Sequence, residues 1–286
     1  MKLCRFNDNR LGVVDGSEVL DVTQALDVLP ALVYPYPVAD QLLAHLAAVR
    51  ERIKSLVATA PRRPLAEVHL LSPVANPGKI IAAPVNYENH LKEVLNDPNI
   101  HYHNQISHIE RAGLFLKATS SLQGASTDLT LTLPERRTDH EVELVIVIGK
   151  TARNVLAADA MPYVAGYCIG LDITIRGPEE RSLRKSPDGY TVLGPWLTTA
   201  DEIADPGKLA LQLQINQVTK QKSNTRELIL GVAVLIEFAS KFYTLHPGDL
   251  IFTGTPEGVS QLHAGDTLYA RIEKLGEIQV NIKAPV

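Results

Sequence analysis

One stretch constrains this chain more than any other: Thr138-Asp139-His140-Glu141-Val142-Glu143-Leu144-Val145-Ile146-Val147-Ile148-Gly149. Its β-branched and aliphatic end reads as a buried strand. Side chains on a strand alternate faces, so Asp139, Glu141 and Glu143 are expected on one side and Val142 and Leu144 on the other. Two carboxylates buried side by side are costly unless a cation neutralises them. A divalent metal held by carboxylate oxygens does so. The other reading is an exposed acidic strand end with no ligand.

Length and charge narrow the setting. At 286 residues the chain accommodates one large domain, or a large one with a small one. A formal net charge of −4 argues against a nucleic-acid or anionic-membrane surface. The apolar run 228–239 is 12 residues long, contains Gly231 and Glu237, and is too short to span a bilayer. Residues 1–15 carry charges and no apolar core of signal-peptide length. Cys4 and Cys168 suggest no disulfide framework and fit a reducing compartment, so a cytoplasmic protein is expected.

Residues 1–72 read as a small α+β module. Short strands flank the turn Asn7-Asp8-Asn9-Arg10, which predicts a hairpin. Leu42, Leu46, Val49, Ile53 and Leu56 fall at helical spacing and predict an amphipathic helix over 38–59. Pro73 and Asn76-Pro77-Gly78 then open a second unit, 73–286.

That second unit carries the chemistry. His90 and Glu93 share one face of a helical turn; they are either a histidine base oriented by a carboxylate or a plain surface pair. Residues 96–111 are polar and irregular. His101-x-His103 could bind zinc but lacks a third ligand, and a mobile flap is the better reading. Lys117 lies on a short strand, where a lone lysine is ordinarily solvated. In the alternating segment 164–176, Asp172 falls on the glycine-bearing face and is the candidate third carboxylate; the alternative is a structural pairing with Arg176 or Arg181. Arg176 lies about 13 Å further along if the strand stays extended, and could clamp a substrate carboxylate. Lys185 and Asp188 sit in a charged loop. Asn224 and Glu227 form a capping box for a helix over 225–242. Thr253-Gly254-Thr255-Pro256-Glu257-Gly258-Val259 could cradle a small anion on backbone N–H groups.

Taken in order, these pieces resemble the fumarylacetoacetate hydrolase family over roughly residues 74–283. The markers are Asn86-Tyr87-x-x-His90-x-x-Glu93, Phe115-x-Lys117, Glu141-x-Glu143-Leu144, Asp172-x-x-x-Arg176, Lys185-Ser186-x-Asp188-Gly189, Gly194-Pro195-Trp196, Pro247-Gly248-Asp249 and Thr253-Gly254-Thr255-Pro256-x-Gly258-Val259. Departures lie beside the pocket: Ala83-Pro84-Val85 replaces a glycine-containing turn, Leu171 an asparagine, and Gly177 and Lys222 stand where acids are common.

The resemblance implies a mixed α/β, β-rich fold, with a β-sandwich or roll core, peripheral helices, and usually a homodimer. It implies Mg²⁺ or Mn²⁺ (Ca²⁺ can replace it in crystals) held by Glu141, Glu143 and Asp172. It implies cleavage of a C–C bond in a β-diketo acid of the acylpyruvate type, as in catabolism of aromatic and related compounds. His90 with Glu93 would then activate water, and Lys117 or Lys185 would stabilise an oxyanion. Arg176, Asp188, Gly254 and Thr255 would hold substrate. Decarboxylation or isomerisation through the same enolate is the alternative, and a non-catalytic keto-acid binder the third reading. No nucleic-acid or membrane partner is expected.

Overall fold

The computed structural model describes residues 1–101 and 107–285. Its centre is the strand Val142–Ile148, buried at all seven positions. It pairs antiparallel with Val164–Asp172 on one side and Leu250–Phe252 on the other. A sheet of twelve strands grows from this trio, with Ile80–Ala82 and Phe115–Lys117 beyond Leu250–Phe252, and Thr191–Thr199 beyond Val164–Asp172. A five-stranded sheet containing Ala210–Ile215, Thr267–Ile272 and Gly276–Lys283 lies apart from it.

Both faces of the central strand are covered. Leu144, Ile146 and Ile148 share a core with Leu213, Leu268, Ala270 and Ile278 of the smaller sheet. Val145 and Val147 share another with Leu43, Val49 and Ile53 from the first seventy residues. Two-sided cover is why the run from Leu144 to Ile148 carries no polar residue.

The expected hairpin forms, Lys2–Phe6 against Arg10–Asp15. Lys2–Phe6 also pairs with Thr191–Thr199, so the strands of the leading module extend the large sheet. The helix expected over 38–59 forms as Gln41–Ala44 and Leu46–Leu56, with the Asp40 side chain accepting from the Leu43 N–H.

One helix is shorter than expected: it spans Val232–Phe242, not 225–242. Asn224 caps a 3-10 turn, Thr225–Glu227, by accepting from the Arg226 N–H. The next residues are drawn out of helical pairing by Asn86. Its carbonyl accepts from the Ile229 N–H, and its amide exchanges hydrogen bonds with the Leu230 backbone. Among the described residues, no helix is long and apolar enough to cross a membrane.

Candidate active site

The acidic strand does not run unbroken. Thr138–Asp139 pairs with Thr174–Ile175 in a separate two-stranded ribbon, and the long strand starts only at Val142. The break parts Asp139 from the two glutamates it was expected to join. Asp139 instead accepts from Arg137 and Arg176, each at 2.8 Å. Glu141, Glu143 and Asp172 do converge: one carboxylate oxygen from each lies within 4.8 Å of the others, and all three are buried. Among the described residues this is the only such group of His, Cys, Asp or Glu, so His101 gains no zinc partners there; His103 lies outside the described residues.

Cations neutralise two of the three. Lys185 Nζ bridges Glu141 Oε2 at 2.7 Å and Asp172 Oδ2 at 2.6 Å. Lys117 donates to Asp172 and to the Tyr190 carbonyl. Burial opposes the charge on Glu141, but Lys185 and Arg176 beside it hold its pKa far below the usual carboxylate range. Glu143 differs. Among the described residues it has no ion pair, and its hydrogen bond comes from the Gly254 N–H at 2.6 Å. Burial, together with Asp172 and Glu141, pushes its pKa well up.

Lys117 was expected to be solvated, yet it is buried, because its strand lies at the sheet edge facing this cluster. Burial drives its pKa down. Asp172 pairs with the two lysines, not with Arg176 or Arg181.

His90 sits across the same cavity, on the helix Glu88–Asn96. Its Nδ1 is 2.8 Å from Glu93 Oε2. With Nδ1 donating to that carboxylate, Nε2 is the nitrogen free to take a proton. Glu93 Oε1 in turn accepts from the Gly258 N–H at 2.9 Å. The 253–259 loop is thus a cradle for anions, as its glycines suggested, but the anions are the protein's own Glu143 and Glu93. Both glycines have positive φ, +97° and +96°, where a side chain is strained.

The cavity has a volume of about 310 Å³. Its walls include His90, Glu141, Glu143, Asp172, Arg176, Lys185 and Thr255, with Val94, Ile100 and His101 at another side. Several expected substrate contacts are already engaged. Arg176 is bound to Asp139 and to Glu141 at 2.9 Å. The Gly254 N–H is taken by Glu143. The Thr255 hydroxyl donates to the Val142 carbonyl and accepts from Gln221. Asp188 is exposed and does not line the cavity, since its loop turns outward before Tyr190 returns to the core.

Gln221 escaped notice in the sequence. It is fully buried, accepts from the Val142 N–H at 3.1 Å, contacts His140 Nδ1, and donates to Thr255 and the Pro256 carbonyl. It ties the acidic strand to the 253–259 loop. The signal was an uncharged amide between Lys220 and Lys222 on an otherwise exposed strand. His140 is buried beside it, and burial lowers its pKa to about 4.

The donor set fits a hard divalent cation: three carboxylate oxygens, one of them on an uncompensated buried glutamate. Comparison with known proteins agrees with that chemistry. The chain is 60% identical to the maleylpyruvate hydrolase of Aquipseudomonas alcaligenes, over 99% of this chain and 100% of that protein. It is 34% identical to the mitochondrial oxaloacetate tautomerase Fahd2a of Rattus norvegicus, over 79% of this chain and 72% of that protein. The crystal structure of maleylpyruvate hydrolase from Sphingobium sp. SYK-6, in complex with manganese(II) ion and pyruvate, superposes with a TM-score of 0.85 at 39% identity, covering 100% of both chains. Residues 79–283 match the family described as Fumarylacetoacetate (FAA) hydrolase C-terminal. The chain therefore belongs to the fumarylacetoacetate hydrolase family.

Proposed function

We propose that this chain is a divalent-metal-dependent hydrolase that cleaves acylpyruvates, with maleylpyruvate as the leading candidate substrate. The observation that carries this reading is the uncompensated Glu143 beside Glu141 and Asp172, facing the His90–Glu93 pair across one cavity. In the relatives' names, maleylpyruvate hydrolase recurs for the protein of 60% identity and for the superposed structure. Mg²⁺ or Mn²⁺ bound by Glu141, Glu143 and Asp172 supplies positive charge that stabilises a pyruvate enolate.

The chain's own residues do the rest. His90 Nε2 takes a proton from water as its oxygen adds to the carbonyl remote from the carboxylate. The bond between that carbonyl carbon and the adjoining CH2 then breaks, and its electron pair moves onto the CH2 as the pyruvate enolate. The proton held by His90 returns to that carbon, leaving a carboxylic acid and pyruvate. Glu93, fixed by Gly258, keeps the imidazole in the accepting tautomer. Lys117 and Lys185 stand beside the acids where negative charge on oxygen would develop. A homodimer, a cytoplasmic location and a role in aromatic catabolism complete the proposal.

A second reading is tautomerisation or decarboxylation of a 2-oxo diacid, favoured by the likeness to an oxaloacetate tautomerase. It needs the enolate but no water. The test is turnover of an acylpyruvate panel with and without Mg²⁺ or Mn²⁺, beside oxaloacetate, with oxalate as inhibitor. Metal-dependent release of pyruvate, blocked by oxalate, is expected. Glu143→Gln should lose metal binding by equilibrium dialysis and lose turnover with it, while the metal-free variant melts no lower than metal-free wild type. Retained metal in that variant would refute the ligand assignment.

A further inference from the structure

Among the described residues, four lysine and arginine side chains line the cavity: Arg176, Arg181, Arg184 and Lys185. Three are committed within the protein. Arg176 holds Asp139 and Glu141. Lys185 holds Glu141, Asp172 and the Thr174 hydroxyl. Arg184 donates to the Glu179 carbonyl at 2.8 Å and the Ile175 carbonyl at 3.0 Å. Arg181 is different. Among the described residues its guanidinium makes no hydrogen bond or ion pair, and its contact is with the Phe115 ring, at 5.5 Å from the ring centre. It is half-buried, and burial lowers its pKa. A guanidinium that lines the cavity with no acceptor from the described protein leaves its N–H groups open to one supplied by a ligand.

The acids near it do not supply the partner. Glu179 is bound through both carboxylate oxygens by Arg136, at 2.9 and 2.8 Å. Glu180 is exposed, and no ion pair joins it to Arg181 among the described residues. Position also matters. Lys185 Nζ, which touches two of the carboxylates, lies 5.5 Å from the same Phe115 ring centre. The two cations are therefore separated by at most twice that distance, a span that a short diacid can bridge.

We infer that Arg181 binds the second carboxylate of the substrate, so that this cavity selects acylpyruvates whose acyl group ends in an acid over those whose acyl group is neutral. This inference rests on the acylpyruvate reading above and assigns the end of the substrate remote from the metal. Arg181 and Phe115 both line the cavity, with the guanidinium carbon over the Phe115 ring, and a carboxylate entering there can accept two hydrogen bonds at once from the guanidinium.

The experiment compares wild type, Arg181→Met and Arg181→Lys in the metal-loaded enzyme. Two ligands are titrated by calorimetry: oxalate, which mimics the chelating end, and maleate, which mimics the acyl end. Two substrates are turned over: maleylpyruvate and acetylpyruvate. Arg181→Met should weaken maleate by roughly 30-fold or more, the scale set by removing one partner of a desolvated charge pair, and far more than it weakens oxalate. The ratio of kcat/KM for maleylpyruvate over acetylpyruvate should fall by a similar factor, mainly through KM, with Arg181→Lys between. Equal losses for maleate and oxalate, or an unchanged substrate ratio, would overturn the inference. If wild type turns over neither substrate, the hydrolase reading fails, and the calorimetric comparison still decides the role of Arg181.

Discussion

At the scale of single residues, the site is a balance of buried charge. Glu141 and Asp172 are each held by cations, and among the described residues Glu143 is held by a backbone N–H alone. Replacing a paired member leaves a partner unsatisfied, whereas replacing Glu143 removes the one acid of the three that has no ion pair among the described residues. His90 is separate from this balance because its partner is Glu93. His90→Ala should lower kcat for hydrolysis by roughly 10²–10⁴-fold while leaving metal affinity nearly as it was, measured by dialysis and steady-state kinetics. Undiminished hydrolysis would move the base elsewhere and favour the enolate-only reading. The pairing of His90 with Glu93 was visible in the sequence because three residues on a helix is a local distance. The burial of Lys117 was not, because its partner Asp172 is 55 residues away.

At the scale of elements, the 253–259 loop does the positioning. Its two glycine N–H groups hold Glu143 and Glu93, so one loop sets both the acid cluster and the base. A Cβ at Gly258 would stand 2.0 Å from the Lys220 carbonyl oxygen, with φ at +96°. Gly258→Ala should therefore cost about 1–3 kcal/mol of stability and lower kcat as Glu93 loses its anchor; urea midpoints and kinetics read the two effects. The leading module has its own electrostatic tie. Burial would raise the pKa of Asp21, but hydrogen bonds from Thr23 and Arg10 outweigh it and hold it below the ordinary 3.8. A depressed carboxylate contributes stability above its unfolded pKa and loses it as pH falls through the folded one. The gap in unfolding free energy between wild type and Asp21→Asn should thus be full at pH 6 and shrink below about pH 4, as denaturant titrations at each pH would show. A gap independent of pH would contradict that pairing.

For the whole molecule, the question is whether residues 1–72 stand alone. We propose that they are a separable unit in sequence that folds as one with the rest. Lys2–Phe6 pairs with Thr191–Thr199, and Leu43, Val49 and Ile53 share a core with Val145 and Val147. Thermal unfolding of the full chain should show a single calorimetric transition. A chain of residues 73–286 would expose that apolar face and a sheet edge, and should aggregate or lose its cooperative melt. Two resolved transitions, or a stable truncated enzyme, would reverse the proposal.

What the sequence determined by itself was local or periodic: the buried strand, the hairpin, the amphipathic helix, the His90–Glu93 spacing, and the acids at alternate positions. These follow from φ/ψ sterics and side-chain alternation within a few residues. Tertiary structure decided which charges meet. It broke the strand at His140 and Glu141, sending Asp139 to Arg176 and leaving Glu141 and Glu143 with Asp172. It turned the 253–259 glycines towards the protein's own carboxylates and left the Arg181 guanidinium against Phe115. The reason is that a buried ionic group is stable only where distant segments bring it a partner, and no local pattern encodes that meeting.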